Sequence, residues 1–121
     1  MIKVIYSKDG QPISDFKVYD AVDNMIKVYN TYSNTITQDI PIKTSSELYL
    51  LVFGLRVLEE KIPIDEAEFY FEDDKLEFDP YLGILDPDNR QLGFYTNTVE
   101  SAIKVGYEKR KRNMRSNHIK E

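Results

Sequence analysis

Ile13-Ser14-Asp15-Phe16-Lys17-Val18-Tyr19-Asp20-Ala21-Val22-Asp23-Asn24-Met25-Ile26-Lys27-Val28-Tyr29-Asn30-Thr31-Tyr32 is the stretch on which the fold turns. Ile13–Tyr19 reads as a strand, Ala21-Val22-Asp23-Asn24 as a turn, and Met25–Tyr32, with Ile26, Val28 and their apolar and aromatic neighbours, as a second strand. Upstream, Ile2, Val4 and Tyr6 alternate with Lys3, Ile5 and Ser7, and Lys8-Asp9-Gly10-Gln11-Pro12 supplies turn chemistry, so an opening strand forms a hairpin with the one starting at Ile13. Downstream, Thr35–Lys43 is rich in β-branched residues and completes a four-stranded antiparallel meander. Pro41 removes one ladder donor, which suits an edge position or a strand end.

Thr44-Ser45-Ser46-Glu47 has the form of a capping box, with a hydroxyl and a carboxylate placed to satisfy the open amides of a first helical turn. Leu48, Leu51, Val52, Leu55 and Leu58 then recur at helical spacing, and Tyr49, Leu50, Phe53 and Val57 fill much of the remaining circumference. A helix over about 45–60, buried on most sides and ended by Pro63, is expected. Gly54 inside it points to close approach of a neighbouring backbone. Ala67–Glu72 and Lys75–Asp79 read as a hairpin around Asp73-Asp74, with Phe69 and Phe71 on one face and Glu68, Tyr70 and Glu72 on the other. Leu82–Leu85 and Gln91–Tyr95 flank the turn sequence Asp86-Pro87-Asp88-Asn89 as a third hairpin. Asn97 caps a last helix over about 97–112, with Val99, Ala102, Ile103, Gly106 and Tyr107 as its stripe and fraying over Lys109–Arg112. The expectation is an α+β fold: antiparallel sheet built from hairpins, two helices packed on one face, and no strand–helix alternation of the parallel kind. Residues 1–113 form a single domain and 114–121 a flexible tail.

Charge is sharply segregated along the chain. Glu59 to Arg90 holds twelve carboxylates against three bases, net −9, whereas Gln91 to Glu121 holds seven bases against three acids, net +4. The first 58 residues are neutral, and the whole 121-residue chain carries −5. An acidic surface of this kind attracts a basic partner and works against general affinity for nucleic acid or anionic lipid. With no cysteine, neither disulfides, thiolate metal sites nor a cysteine nucleophile can form, and nothing points to an oxidising compartment. The longest apolar run, Leu48 to Leu55, is far short of the about 20 residues a membrane span needs, and no export signal is visible, so a cytoplasmic protein is expected.

His118, the only histidine, lies in the tail, which argues against hydrolase triads and multi-histidine metal sites. Asp86-Pro87-Asp88-Asn89 begins like a calcium loop, but Gln91 and Asn97 stand where that loop needs glycine and a bidentate glutamate. Asp65 with Asp73-Asp74-Lys75 holds the ingredients of a metal-nuclease site without its basic groove. Tyr29 and Tyr32, near Asn30 and Asn34, are candidates for stacking or protein contact. No catalytic residue, metal or cofactor is expected.

The candidate partner-binding residues are Glu66, Glu68, Tyr70, Glu72, Asp73, Asp74, Glu77, Asp79 and Tyr81, an acidic face with two aromatic anchors suited to a basic protein. Lys104, Lys109, Arg110, Lys111 and Arg112 are the alternative, a nucleic-acid contact, although cations at a helix end also complement that helix's own dipole. In general character, small, acidic and without cysteine or catalytic groups, the chain is similar to toxin-immunity proteins and phage-encoded inhibitors. That likeness implies a protein that neutralises or regulates a basic partner.

Overall fold

The computed structural model describes residues 1–85 and 104–113. Strand β1 (Ile2–Gln11) leads into helix α1 (Asp15–Tyr32), then β2 (Ile40–Thr44), α2 (Glu47–Leu58), a short 3-10 turn (Ile64–Glu66), β3 (Ala67–Phe71), β4 (Asp74–Asp79) and β5 (Gly83–Leu85). A further helix, α3, covers 104–113. The five strands form one sheet in the order β2-β1-β3-β4-β5. β1 is parallel to both neighbours, with Val4 opposite Ile42 on one side and Phe69 on the other. β3–β4 and β4–β5 are antiparallel. The fold is therefore α+β with a mixed sheet.

This corrects the expected meander. Ile13–Tyr19 and Met25–Tyr32 are not strands; nearly all of that stretch is α1, which buries Val18, Val22, Ile26 and Tyr29. Those four recur at steps of four, four and three, one stripe of a helix, and Ser14 with Asp15 stands where a helix start favours them. Because α1 and α2 each carry the chain back between parallel strands, residues 2–71 do have the strand–helix alternation that the sequence pattern does not lead one to expect. The supposed turn at Lys8–Pro12 is mostly strand, since β1 runs on to Gln11 and curls over the end of β2, where Thr44 Oγ1 donates to the Gln11 carbonyl. Pro41 does lie on an edge strand, as its missing donor requires.

α2 forms where its apolar run predicts and is buried at nine positions, from Leu48 to Leu58. Its cap is Ser46 rather than Thr44: the Ser46 hydroxyl accepts the Tyr49 amide at 3.1 Å, while Thr44 accepts the Ser46 amide at 3.0 Å. The C-terminus closes in a Schellman arrangement, with the Lys61 amide on the Arg56 carbonyl and the Glu60 amide on that of Val57. Glu60 takes the left-handed conformation this motif requires, φ 65°. Gly54 meets not a backbone but the tip of Ile84, 2.6 Å from where a β-carbon would lie.

One cluster joins Ile2 and Val4 of β1, Phe69 of β3 and Leu76 of β4 to the buried faces of α1 and α2. The β3–β4 hairpin matches its expected alternation, with Phe69 buried and Glu68 and Tyr70 pointing the other way, and its turn falls at Glu72-Asp73. β5 covers 83–85; the returning strand expected at 91–95, the turn at 86–89, the helix start at 97–103, the calcium-like loop, His118 and the tail lie outside the described residues.

Candidate functional site

The sheet places the nine expected partner-binding residues in four settings. Glu66 is turned inward, where its carboxylate accepts the hydroxyl of Tyr29, which is 3% exposed. That hydrogen bond, followed by burial, pushes the Tyr29 phenol up to about 12. A phenol whose pKa is raised by folding contributes stability that is complete below its ordinary value near 10 and is lost as pH rises through 12. Glu66→Ala should therefore make one tyrosinate signal at 295 nm appear at lower pH and flatten the alkaline loss of stability; an unchanged titration would show that the contact does not control this phenol.

Glu68, Tyr70 and Glu77 share the sheet surface opposite Val4 and Phe69 with Lys3 and Lys75, which breaks the expected acidic continuity. Glu68 is ion-paired with Lys75 and stands in register with Lys3, itself 3.2 Å from Asp39. Lys75 faces Tyr70 across the strands. Hydrogen bonding to these carboxylates is the first cause of the raised pKa of both Lys3 and Lys75.

Glu72, Asp73 and Asp74 stand at the hairpin turn. Glu72 is left-handed, φ 53°, and clasps β1: its amide donates to the Tyr6 carbonyl at 2.8 Å and its carboxylate accepts the Lys8 amide at 3.3 Å. Asp73 is exposed at the tip. Asp65 lies beyond the opposite end of β3, and a five-residue strand spans roughly 17 Å, so the residues of the nuclease-like constellation are not brought together. Among the described residues no group of three or more histidines or acids could hold a metal ion.

Asp79 and Tyr81 belong to the contact with α3. Asp79 accepts the amides of Tyr81 and Leu82 at 2.8 and 3.0 Å, which fixes the corner before β5. The Tyr81 ring lies 5.9 Å from Lys109 Nζ and 5.3 Å from the Arg110 guanidinium, and its hydroxyl accepts Asn113 Nδ2 at 2.7 Å. Lys109 Nζ donates to the carbonyls of Leu58 at 3.1 Å and Pro80 at 2.7 Å and sits 3.8 Å from the Glu60 carboxylate. Arg112 reaches the same carboxylate at 3.5 Å. The basic residues expected to fray instead continue the helix to residue 113, and Lys109 caps α2, not its own helix. Leu58 is the last residue of α2, so the ammonium meets the negative end of that helix's dipole. Lys104 and Lys111 remain exposed.

Sequence reasoning missed a second acidic place. Tyr6, Asp15, Ser45, Ser46 and Glu47 line a 260 Å³ depression where β1 and β2 run into the N-termini of α1 and α2. Burial raises the Glu47 carboxyl, and burial followed by Glu47 and Glu72 raises the Tyr6 phenol. Nearby in sequence, Phe16 is 81% exposed in the first turn of α1. Only the parallel arrangement of β1 and β2 brings these elements to one end of the sheet. Among the described residues no helix is long and apolar enough to cross a membrane. Comparison of the chain with family models, curated proteins and solved structures finds no match in any of the three.

Proposed function

We propose that the chain is a non-catalytic binding module that neutralises or regulates a basic protein, in the manner of an immunity protein or phage inhibitor, and that it acts in the cytoplasm. The observation that carries this reading is the acid-rich β3–β4 segment with its cation-holding corner: Asp73 and Glu77 are exposed, and Tyr81 and Glu60 already hold lysine and arginine side chains. With α1 and α2 taken to cover the side of the sheet that carries Val4 and Phe69, the opposite side and the hairpin tip are what a partner meets. Exposed carboxylates would steer encounter, and Tyr70, half-buried and opposite Lys75 across the strands, would supply contact area. The retention of Lys109 and Arg112 by the chain's own groups favours this reading over nucleic-acid contact through Lys104, Lys109, Arg110, Lys111 and Arg112.

Affinity capture from a native lysate with the wild type beside Asp73→Lys/Glu77→Lys tests it. A single basic protein should be retained by the wild type, with its purified affinity lowered about tenfold or more by the double reversal. Equal capture by both, or capture of nucleic acid alone, would remove the hairpin from consideration.

A further inference from the structure

The contact between α3 and the corner formed by Leu58, Glu60, Pro80 and Tyr81 is a built receptor for an ammonium group. It offers two carbonyl oxygens at 3.1 and 2.7 Å, a carboxylate at 3.8 Å and an aromatic ring, and it leaves the Lys109 side chain 12% exposed. The Schellman closure uses the carbonyls of Arg56 and Val57 and leaves that of Leu58 for the incoming cation. A glycine lets the helix sit this close: a β-carbon on Gly106 would fall 1.7 Å from the Tyr81 carbonyl oxygen.

Among the described residues, the contacts that hold α3 are hydrogen bonds, ion pairs and cation–ring contacts. None of its described residues belongs to the hydrophobic cluster or packs against it, and Tyr107 is 67% exposed. Contacts of this type are salt-screened and open at low cost compared with core elements. We infer that this corner is a lysine-receiving site for a basic helix of the partner protein, and that α3 fills it in cis as a competing stand-in. The inference rests on the proposed binding of a basic protein and names both the ligand chemistry and the regulation: partner engagement and α3 docking exclude each other at the Glu60–Tyr81 corner.

The test uses the full chain and a fluorescent peptide with the sequence of residues 103–114 as probe. Gly106→Val drives α3 off Tyr81, and Lys109→Glu does so without adding bulk. Each should bind the peptide about tenfold or more tightly than the wild type, since a site open only part of the time loses affinity in proportion. Adding Glu60→Gly, which removes the carboxylate while suiting the left-handed backbone, should abolish that gain and leave the melting transition in place. Peptide affinity unchanged in both undocked variants, with their circular dichroism intact, would overturn the inference. So would wild-type dimers that dissociate on Lys109→Glu, because α3 would then serve a second copy. The Asp73/Glu77 reversal reports on the hairpin and not on this corner, so loss of one result leaves the other standing.

Discussion

Phe53→Ala should cost about 4 kcal/mol, the range for deleting a fully buried aromatic ring. Phe53 has no exposed surface, and its ring centroid lies 6.1 Å from that of Phe69 and 6.2 Å from that of Tyr49, so it joins α2 to the sheet as well as to its own preceding turn. Against a total of roughly 5–15 kcal/mol for a small domain, the loss is severe, and the thermal midpoint should fall by roughly 15 °C. Urea denaturation followed by circular dichroism measures it. Phe16→Ala is the control: an equally large ring, 81% exposed, whose removal should change stability by no more than about 0.5 kcal/mol. A large cost at Phe16 with a small one at Phe53 would contradict the helical register of α1 and the placement of α2 together.

Gly10→Ala should destabilise by about 3 kcal/mol, at the upper end of overpacking costs. A β-carbon there would lie 2.4–2.7 Å from three main-chain atoms of Thr44. Main chain cannot rotate aside, and Thr44 is tied to Gln11 and Ser46, so relief would require β1 to lift off the end of β2 and disturb the cap of α2. Gly54→Ala is the informative contrast. Its close neighbour is the flexible end of Ile84, and alanine recovers about 1 kcal/mol of helix propensity, so the two effects nearly cancel. Equal losses at Gly10 and Gly54 would mean that the strand end does not cross Thr44 as described.

The parts of the fold legible in the sequence are those whose pattern admits one period. α2 is apolar almost all round, too long for a strand and flanked by hydroxyl caps and Pro63, so its position is read to within a few residues. The β3–β4 hairpin shows clean alternation and an acidic turn. α1 reads as strands from its composition because Val18, Tyr19, Ile26, Val28, Tyr29 and Tyr32 are residue types that favour strands, while Asp23-Asn24 imitates a turn in mid-helix. The spacing of Val18, Val22, Ile26 and Tyr29 held the contrary signal, and it outweighs residue type because burial follows periodicity. The parallel pairing is hidden along with α1, since only a crossover of helical length lets β1 and β2 run the same way. At the candidate site, composition marks the acids and bases but not their pairing. That Lys75 answers Glu68, that Tyr29 answers Glu66, and that Lys109 closes the end of α2 are consequences of tertiary placement, and no local pattern announces them.

The central position of β1 also sets a timetable for synthesis. Ile2 pairs with Ile40 on one side and with Ala67 on the other, so the first strand made is completed only when the third leaves the ribosome. At roughly 5–20 residues per second, that interval is on the order of 3–13 s, and through all of it the edge of Ile2–Tyr6 that β3 will pair stands open, while the other edge waits only for Ile40–Thr44. Nascent chains stalled before Ala67 should therefore engage holdase chaperones, and those extended past Asp79 should release them.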